Sequence, residues 1–334
     1  MPSRPSRIHA PDLDFERDGK QVTWLRLPHS SNTSAYGWIP IPIAVVRNGE
    51  GPTVLLTAGN HGDEYEGQVA LVKLIRALQP DEVHGRLIIV PQLNAPAAQA
   101  GTRVSPIDGI NLNRCFPGDP DGSPTLVIGD YVERVLMGMA DYALDLHSGG
   151  RTLMYVPSVL THLSGDDGID QKARELLEVF GAPAGYIMTT PLDDRTLLGA
   201  ASRNGVVALG TELGGSGAVG NHGLAVGEHG VRNVLAHLGV LRGAGVEGPA
   251  TQRIVAVGAR DYAFAPDRGV FEYRVEVGDD VEAGQPLGDL HFIDDPMRPP
   301  VSVGVPSTGL LLCRRHPGPC ERGDCLAQVG TALT

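Results

Sequence analysis

The run TVLLTAGNHGDEYEGQVALVKLIRAL, residues 53–78, decides the fold. Its first six residues, Thr53–Ala58, form a short apolar run of the buried-strand kind. Gly59-Asn60-His61-Gly62 breaks that pattern. From near Glu66 to Leu78 the spacing of Val69, Ala70, Lys73, Leu74 and Leu78 is that of an amphipathic helix. The same alternation continues outward on both sides. Gly37–Arg47 is an apolar, β-branched stretch closed by the turn signal Asn48-Gly49, and Arg86–Pro91 reads as a buried strand. Tyr131–Met139 reads as helix, Tyr142–Leu146 as a strand ending at His147, and Lys172–Phe180 as helix. Val206–Leu209 reads as a strand and Gly230–Leu238 as a further helix. Apolar strands alternating with helices predict an α/β fold with a doubly wound mixed sheet. Ligands of such sheets bind beyond the carboxyl ends of the strands. The polar clusters after Ala58, Leu146 and Gly210 all occupy that position.

Roughly the last eighty residues change character, with short strands between glycines and no helical period. They also repeat internally. Gly269-Val270-Phe271 leads to Gly278, Gly284 and Leu287; about forty residues on, Gly309-Leu310-Leu311 leads to Gly318, Gly323 and Leu326. Such a repeat predicts two hairpins folded on each other as a small β-sandwich or barrel. The linker-like GAGVEGPAT stretch sets an expected boundary near Gly248. Residues 1–248 would then form the catalytic α/β unit and 249–334 a smaller all-β unit.

Composition narrows the function. With 334 residues, 42% hydrophobic and 20% charged, the chain has ample material for a core. Its net charge of −12 argues against a nucleic-acid partner, because phosphate recognition depends on clustered Lys and Arg. Aromatics at 5% are too sparse for a stacking platform. The first twenty residues lack the apolar stretch of a signal peptide, and no run approaches the roughly 20 apolar residues of a membrane span. Cys115, Cys313, Cys320 and Cys325 lack a disulfide-framework or Cys-x-x-Cys spacing, so reduced thiols and a cytoplasmic location are expected.

The chemistry lies in four short motifs. His61 and Glu64, three residues apart at a strand-to-helix turn, can both reach one metal ion, and His147 supplies a third donor. The competing explanation for the first pair is an ordinary helix N-terminus with acidic residues near its positive end. Asp145 points to the same side of its strand as His147, where it would orient a ligating histidine, either His147 or His61. Glu212, after the strand Val206–Leu209, would face the same crevice as a general base. Arg103 and the Asn111-Leu112-Asn113-Arg114 run lie on a long polar connection, where arginines suit a substrate carboxylate and a developing oxyanion. The remaining histidines have no partner at ligand spacing.

In this order, GNHGDEYEGQVAL, Arg103 to NLNRCFPG, DLHSGG and TELGG resemble the succinylglutamate desuccinylase/aspartoacylase family, which is similar in fold to the zinc carboxypeptidases. The resemblance covers nearly the whole chain. It implies one zinc ion on His61, Glu64 and His147, with Glu212 as general acid/base. It further implies that Arg103 polarises the acyl carbonyl and that Asn113 and Arg114 hold the substrate carboxylate. Within the family, the IPIAVVRNGEGPTVLL, GTRVSPIDGINLNRCFPG and GVRNVLAHLGVLRG wording is closest to the branch that deacetylates Nα-acetyl-L-2,4-diaminobutyrate in ectoine breakdown. The implied substrate is thus a small N-acyl amino acid and the products acetate and 2,4-diaminobutyrate. Asp193 or Asp194 would meet the free γ-amine. Alternatives are a deacylase of N-succinylglutamate or N-acetylaspartate type, a carboxypeptidase-like peptidase, and a zinc-binding protein without catalysis. The VEVGDDVEAGQPLG pattern also resembles biotinyl or lipoyl carriers, but no lysine follows Lys172 to be modified. The C-terminal unit is therefore expected to narrow the active-site mouth or to mediate contacts in a homo-oligomer.

Overall fold

In the computed structural model, which describes residues 5–243 and 245–333, two strands precede the run Thr53–Ala58. These are β1 (Gly19–Pro28) and β2 (Trp38–Asn48), followed by β3 (Thr53–Ala58) and helix α1 (Tyr65–Ala77). The chain continues through β4 (Gly85–Val90), α2 (Ala95–Ala100), α3 (Pro124–Tyr131), β5 (Tyr142–His147), β6 (Leu153–Tyr155) and β7 (Ser158–His162). Then come α4 (Asp167–Phe180), β8 (Ala184–Met188), α5 (Leu197–Arg203), β9 (Val207–Glu212), α6 (Asn221–His237) and β10 (Arg253–Val257). Nine of these strands form one mixed sheet in the order β1-β2-β4-β3-β5-β9-β7-β8-β10. Its centre, β4-β3-β5-β9, is parallel, and β7 then runs antiparallel to β9.

The expected double winding is present. Leu71 and Leu74 of α1, Leu176 and Leu177 of α4 and Val231 and Val234 of α6 pack on one face. Ala95 of α2, Val127 and Ile128 of α3 and Leu197 and Ala200 of α5 cover the other. All six side chains of β3 are buried, as a strand flanked on both faces requires.

Several elements differ from the sequence expectation. The helix expected over Tyr131–Met139 begins at Pro124, whose ring suits a first turn; residues 132–139 continue it as a wide turn and then a tight one. Helix α4 starts at Asp167 because the Asp166 carboxylate caps the amides of Gly168 and Ile169, each at 3.0 Å. Strand β9 runs three residues beyond Leu209, which places Glu212 on the strand itself.

The remaining strands are β11 (Tyr262–Phe264), β12 (Gly269–Tyr273), β13 (Asp280–Val281), β14 (Pro286–His291), β15 (Val301–Gly304), β16 (Gly309–Arg315), β17 (Pro319–Cys320) and β18 (Cys325–Gly330). They build two sheets, β11-β18-β16-β13 and β15-β14-β12-β17, around a core that includes Phe271, Leu287, Leu311 and Leu326. The sequence repeat is visible as an exchange: β13 of the first copy pairs with β16 of the second, and β17 of the second pairs with β12 of the first. Two links cross between the α/β and all-β parts. Strand β6 pairs with β16, and β10, which follows the expected boundary at Gly248, pairs in parallel with β8 of the large sheet. No described helix is long and apolar enough to cross a membrane.

Candidate active site

Three strand ends meet at the predicted place. The chain leaves β3 through Gly59, whose φ of +68° suits glycine, and reaches His61 and Glu64 before α1 begins. Glu64 is the N-cap of α1 but makes no capping bond, since its carboxylate is committed elsewhere. Oε1 lies 2.8 Å from His61 Nδ1 and Oε2 lies 2.7 Å from His147 Nδ1. Ligand atoms of His61, Glu64 and His147 all fall within 4.8 Å of one another, and all three residues are buried.

The outer ring nitrogens are held from behind. His147 Nε2 is 2.8 Å from Asp145 Oδ2, and His61 Nε2 is 3.1 Å from Asn111 Oδ1. Asp145 is fully buried and also accepts bonds from Thr57 Oγ1 (2.7 Å) and Asn60 Nδ2 (3.0 Å). With protons on the outer nitrogens, both Nδ1 lone pairs face inward, the tautomer that a metal needs.

The electrostatics fit a cation. Burial alone would raise the pKa of Glu64, yet the charges of His61 and His147 hold it well below the usual carboxylate range. Burial likewise opposes ionisation of Asp145, but His147 and the Thr57 and Asn60 bonds outweigh it. His147 is pulled well above its ordinary value by Asp145 and Glu64, against the effect of burial. Two ionised carboxylates, Glu64 and Asp145, with two histidines in a dry site leave an excess of negative charge that a divalent ion would balance. The donor set, two imidazoles and a carboxylate, is one that zinc accepts while keeping a fourth position open.

Glu212 is the register partner of His147 across β5 and β9. Burial, then the like charge of Glu64, push its carboxyl up to about 8, and its Oε2 has neither solvent nor a hydrogen-bond partner among the described residues.

The polar connection is anchored rather than free. Leu112 and Phe116 are buried, and Asp108 accepts bonds from Ser123 and Thr125. It brings Arg103 Nη1 to 3.5 Å from Glu64 Oε1 and 3.4 Å from His61 Nδ1. Asn113 lies between two parts of the site, with Oδ1 accepting from Leu197 N at 2.9 Å and Nδ2 3.4 Å from His147 Nε2. Arg114 Nε lies 3.6 Å from Asp193 Oδ2. Asp193 faces the cleft; Asp194 is not among the residues lining it.

The cleft, about 370 Å³, runs from the His61–Glu64–His147 group across the faces of β9, β7 and β8. Strand register sets its floor: Leu160 pairs with both Gly210 and Tyr186, and His162 pairs with Met188. Tyr262 and Gln328 close the far side, so the C-terminal strands contribute to the cleft wall.

Sequence reasoning did not assign roles to Asn111, Asn60 and Thr57, although Asn60 and Asn111 stand inside quoted motifs. It also passed over Glu66, whose buried Oε1 accepts from Gly220 N at 3.1 Å and ties α1 to the start of α6.

Residues 50–238 match the succinylglutamate desuccinylase/aspartoacylase catalytic domain. The chain is 44% identical to the N-alpha-acetyl-L-2,4-diaminobutyric acid deacetylase of Halomonas elongata, over 99% of this chain and 96% of that protein. Among solved structures it resembles a succinylglutamate desuccinylase/aspartoacylase from Rhodobacter sphaeroides (TM-score 0.93, 40% identity, 98% of this chain and 100% of that one). It also resembles the product-bound ectoine utilization protein EutE (DoeB) from Ruegeria pomeroyi (TM-score 0.93, 39% identity, 99% and 100%). With its catalytic-domain match spanning more than half its length and relatives aligned nearly end to end, this chain belongs to the succinylglutamate desuccinylase/aspartoacylase family.

Proposed function

We propose that this protein is a zinc-dependent amidohydrolase that deacetylates Nα-acetyl-L-2,4-diaminobutyrate, giving acetate and 2,4-diaminobutyrate in ectoine degradation. The observation that carries the chemistry is the His61–Glu64–His147 donor triangle beside the unpartnered carboxylate of Glu212. The substrate assignment is supported by the near full-length likeness to the Halomonas elongata deacetylase.

His61, Glu64 and His147 would hold one zinc ion per chain, with Asp145 and Asn111 fixing the two rings. When bound, zinc supplies Lewis acidity, acidifying water and polarising the acyl carbonyl. Glu212 is basic enough to take the water proton and then to deliver it to the leaving α-nitrogen. Arg103 stabilises the oxyanion as the carbonyl is attacked, and Asn113 and Arg114 hold the substrate carboxylate. Free thiols at all four cysteines support a reducing, cytoplasmic setting.

Acetate release tests the assignment. The zinc-loaded protein is expected to hydrolyse Nα-acetyl-2,4-diaminobutyrate in preference to its Nγ-acetyl isomer, N-acetylaspartate and N-succinylglutamate. Chelation should abolish turnover, and added zinc should restore it. Preference for another acyl amino acid would keep the chemistry and overturn the substrate; turnover unaffected by chelation would overturn the metal role.

A further inference from the structure

The cleft has two chemically different walls. Its arginines, Arg103 and Arg114, both come from the polar connection between α2 and α3. The opposite wall, formed by β7, β8, β11 and β18, carries acceptors that have no donor among the described residues. Gln328 donates from Nε2 to the Tyr262 hydroxyl at 2.9 Å, and its buried Oε1 has no partner among the described residues. His162 Nδ1 lies 3.3 Å from the Leu163 carbonyl, to which it donates. Its Nε2 is left as a buried, unmatched lone pair. The rings of Tyr155, Tyr186 and Tyr262 line the same cleft, near the Glu212 carboxyl.

An unpaired buried acceptor is costly, and a ligand that brings the missing donor relieves the cost. An alkylammonium brings three donors and no acceptor, and it is attracted to tyrosine faces and to a nearby carboxylate. A second substrate carboxylate would bring only acceptors to the two unmatched acceptors, Gln328 Oε1 and His162 Nε2. Asp193 is poorly placed for this task, because Arg195 holds its carboxylate with two bonds of 3.0 Å and Arg114 approaches it as well.

We propose that Gln328, with His162 and the Tyr155–Tyr186–Tyr262 rings, forms the subsite that takes the γ-ammonium of the substrate and rejects acyl amino acids with a second carboxylate. The assignment rests on the deacetylase reading above. It makes Gln328, from the C-terminal strands, a specificity-determining residue.

Steady-state kinetics of the zinc-loaded full chain test it with two substrates, Nα-acetyl-2,4-diaminobutyrate and Nα-acetylnorvaline, which replaces the ammonium with a methyl group. Gln328→Leu should raise KM about 10- to 100-fold for the first, the range for a hydrogen bond to a charged group, and leave KM for the second unchanged. Gln328→Glu, which keeps an acceptor there, should hold or lower KM for the first. Calorimetric titration with 2,4-diaminobutyrate should follow the same order without turnover. Equal loss on both substrates, or no loss on either, would overturn the subsite. If Gln328→Leu does not fold, a raised KM for the diaminobutyrate substrate in Gln328→Glu would overturn it instead. Wild-type protein inactive on Nα-acetyl-2,4-diaminobutyrate would sink the deacetylase reading and the subsite together, whereas an active wild type with an indifferent Gln328 would sink the subsite alone.

Discussion

Glu212 combines burial, a like-charged neighbour and an unsatisfied oxygen, so its protonation is linked to stability and, under the proposed mechanism, to turnover. Glu212→Gln keeps the shape and removes the base; turnover should fall about 10²–10⁴-fold while zinc content stays at one per chain. A variant as active as wild type would leave Glu212 without a catalytic role. The linkage has a definite sign in the metal-free protein. The carboxyl is raised from an ordinary 4.5 to about 8, so across that window the folded state binds a proton that the unfolded chain does not. Its contribution to stability is full below the lower value and is lost as pH rises through the upper one. Relative to Glu212→Gln, the thermal midpoint of metal-free wild type should therefore drop between about pH 5 and about pH 9. Asp145 acts one step further out. Asp145→Ala should weaken zinc binding about 10- to 100-fold, read by competition with a chromophoric chelator, because His147 loses its anchor.

Among the elements, α6 shows what glycine conceals. The sequence suggested a helix only from Gly230, since Gly223, Gly227 and Gly230 weaken the helical pattern. In the structure these glycines form the face that lets α6 press on its neighbours. A Cβ at Gly223 would stand 1.8 Å from the Leu213 carbonyl oxygen, and one at Gly230 would stand 2.2 Å from the Phe180 ring. Gly223→Ala should cost about 1–3 kcal/mol by chemical denaturation and lower turnover as well, because Leu213 adjoins Glu212. A loss of stability without loss of turnover would show that the strain relaxes away from the site. Strands β3, β5 and β9 were legible because each is a compact apolar run leading into polar residues. Strand β1 was not: as an edge strand it alternates buried and open positions, and its Lys20, Gln21 and Arg26 look like a polar arm. The His61–Glu64–His147 cluster and Glu212 could be read from short local motifs, and the motifs themselves placed these side chains at strand ends. Asn111 and Thr57 act only through contacts distant in sequence, so their roles became visible only with the fold.

At the scale of the whole molecule, the α/β and all-β parts are interlaced by the β6–β16 and β8–β10 pairings. Tyr186, Val257, Leu310 and Leu312 fill the layer between them. Calorimetry of the zinc-loaded chain is expected to give one cooperative transition; two resolved transitions would mean that this layer is weaker than its burial suggests. The internal repeat could be read as two hairpins, but periodicity within one segment carries no information about strands traded with another, so the exchange between copies and the pairing with β6 were hidden.

That interlacing also orders events during synthesis. Strand β6 leaves the ribosome long before β16 exists to cover it, and long-range pairing of this kind forms late. A nascent chain that has emerged through β9 already holds His61, Glu64, His147 and Glu212, yet has neither Tyr262 nor Gln328. The residues proposed to cleave are thus translated before the wall proposed to discriminate. Because the two parts interlace, the last strands to be made both complete the fold and close the cleft.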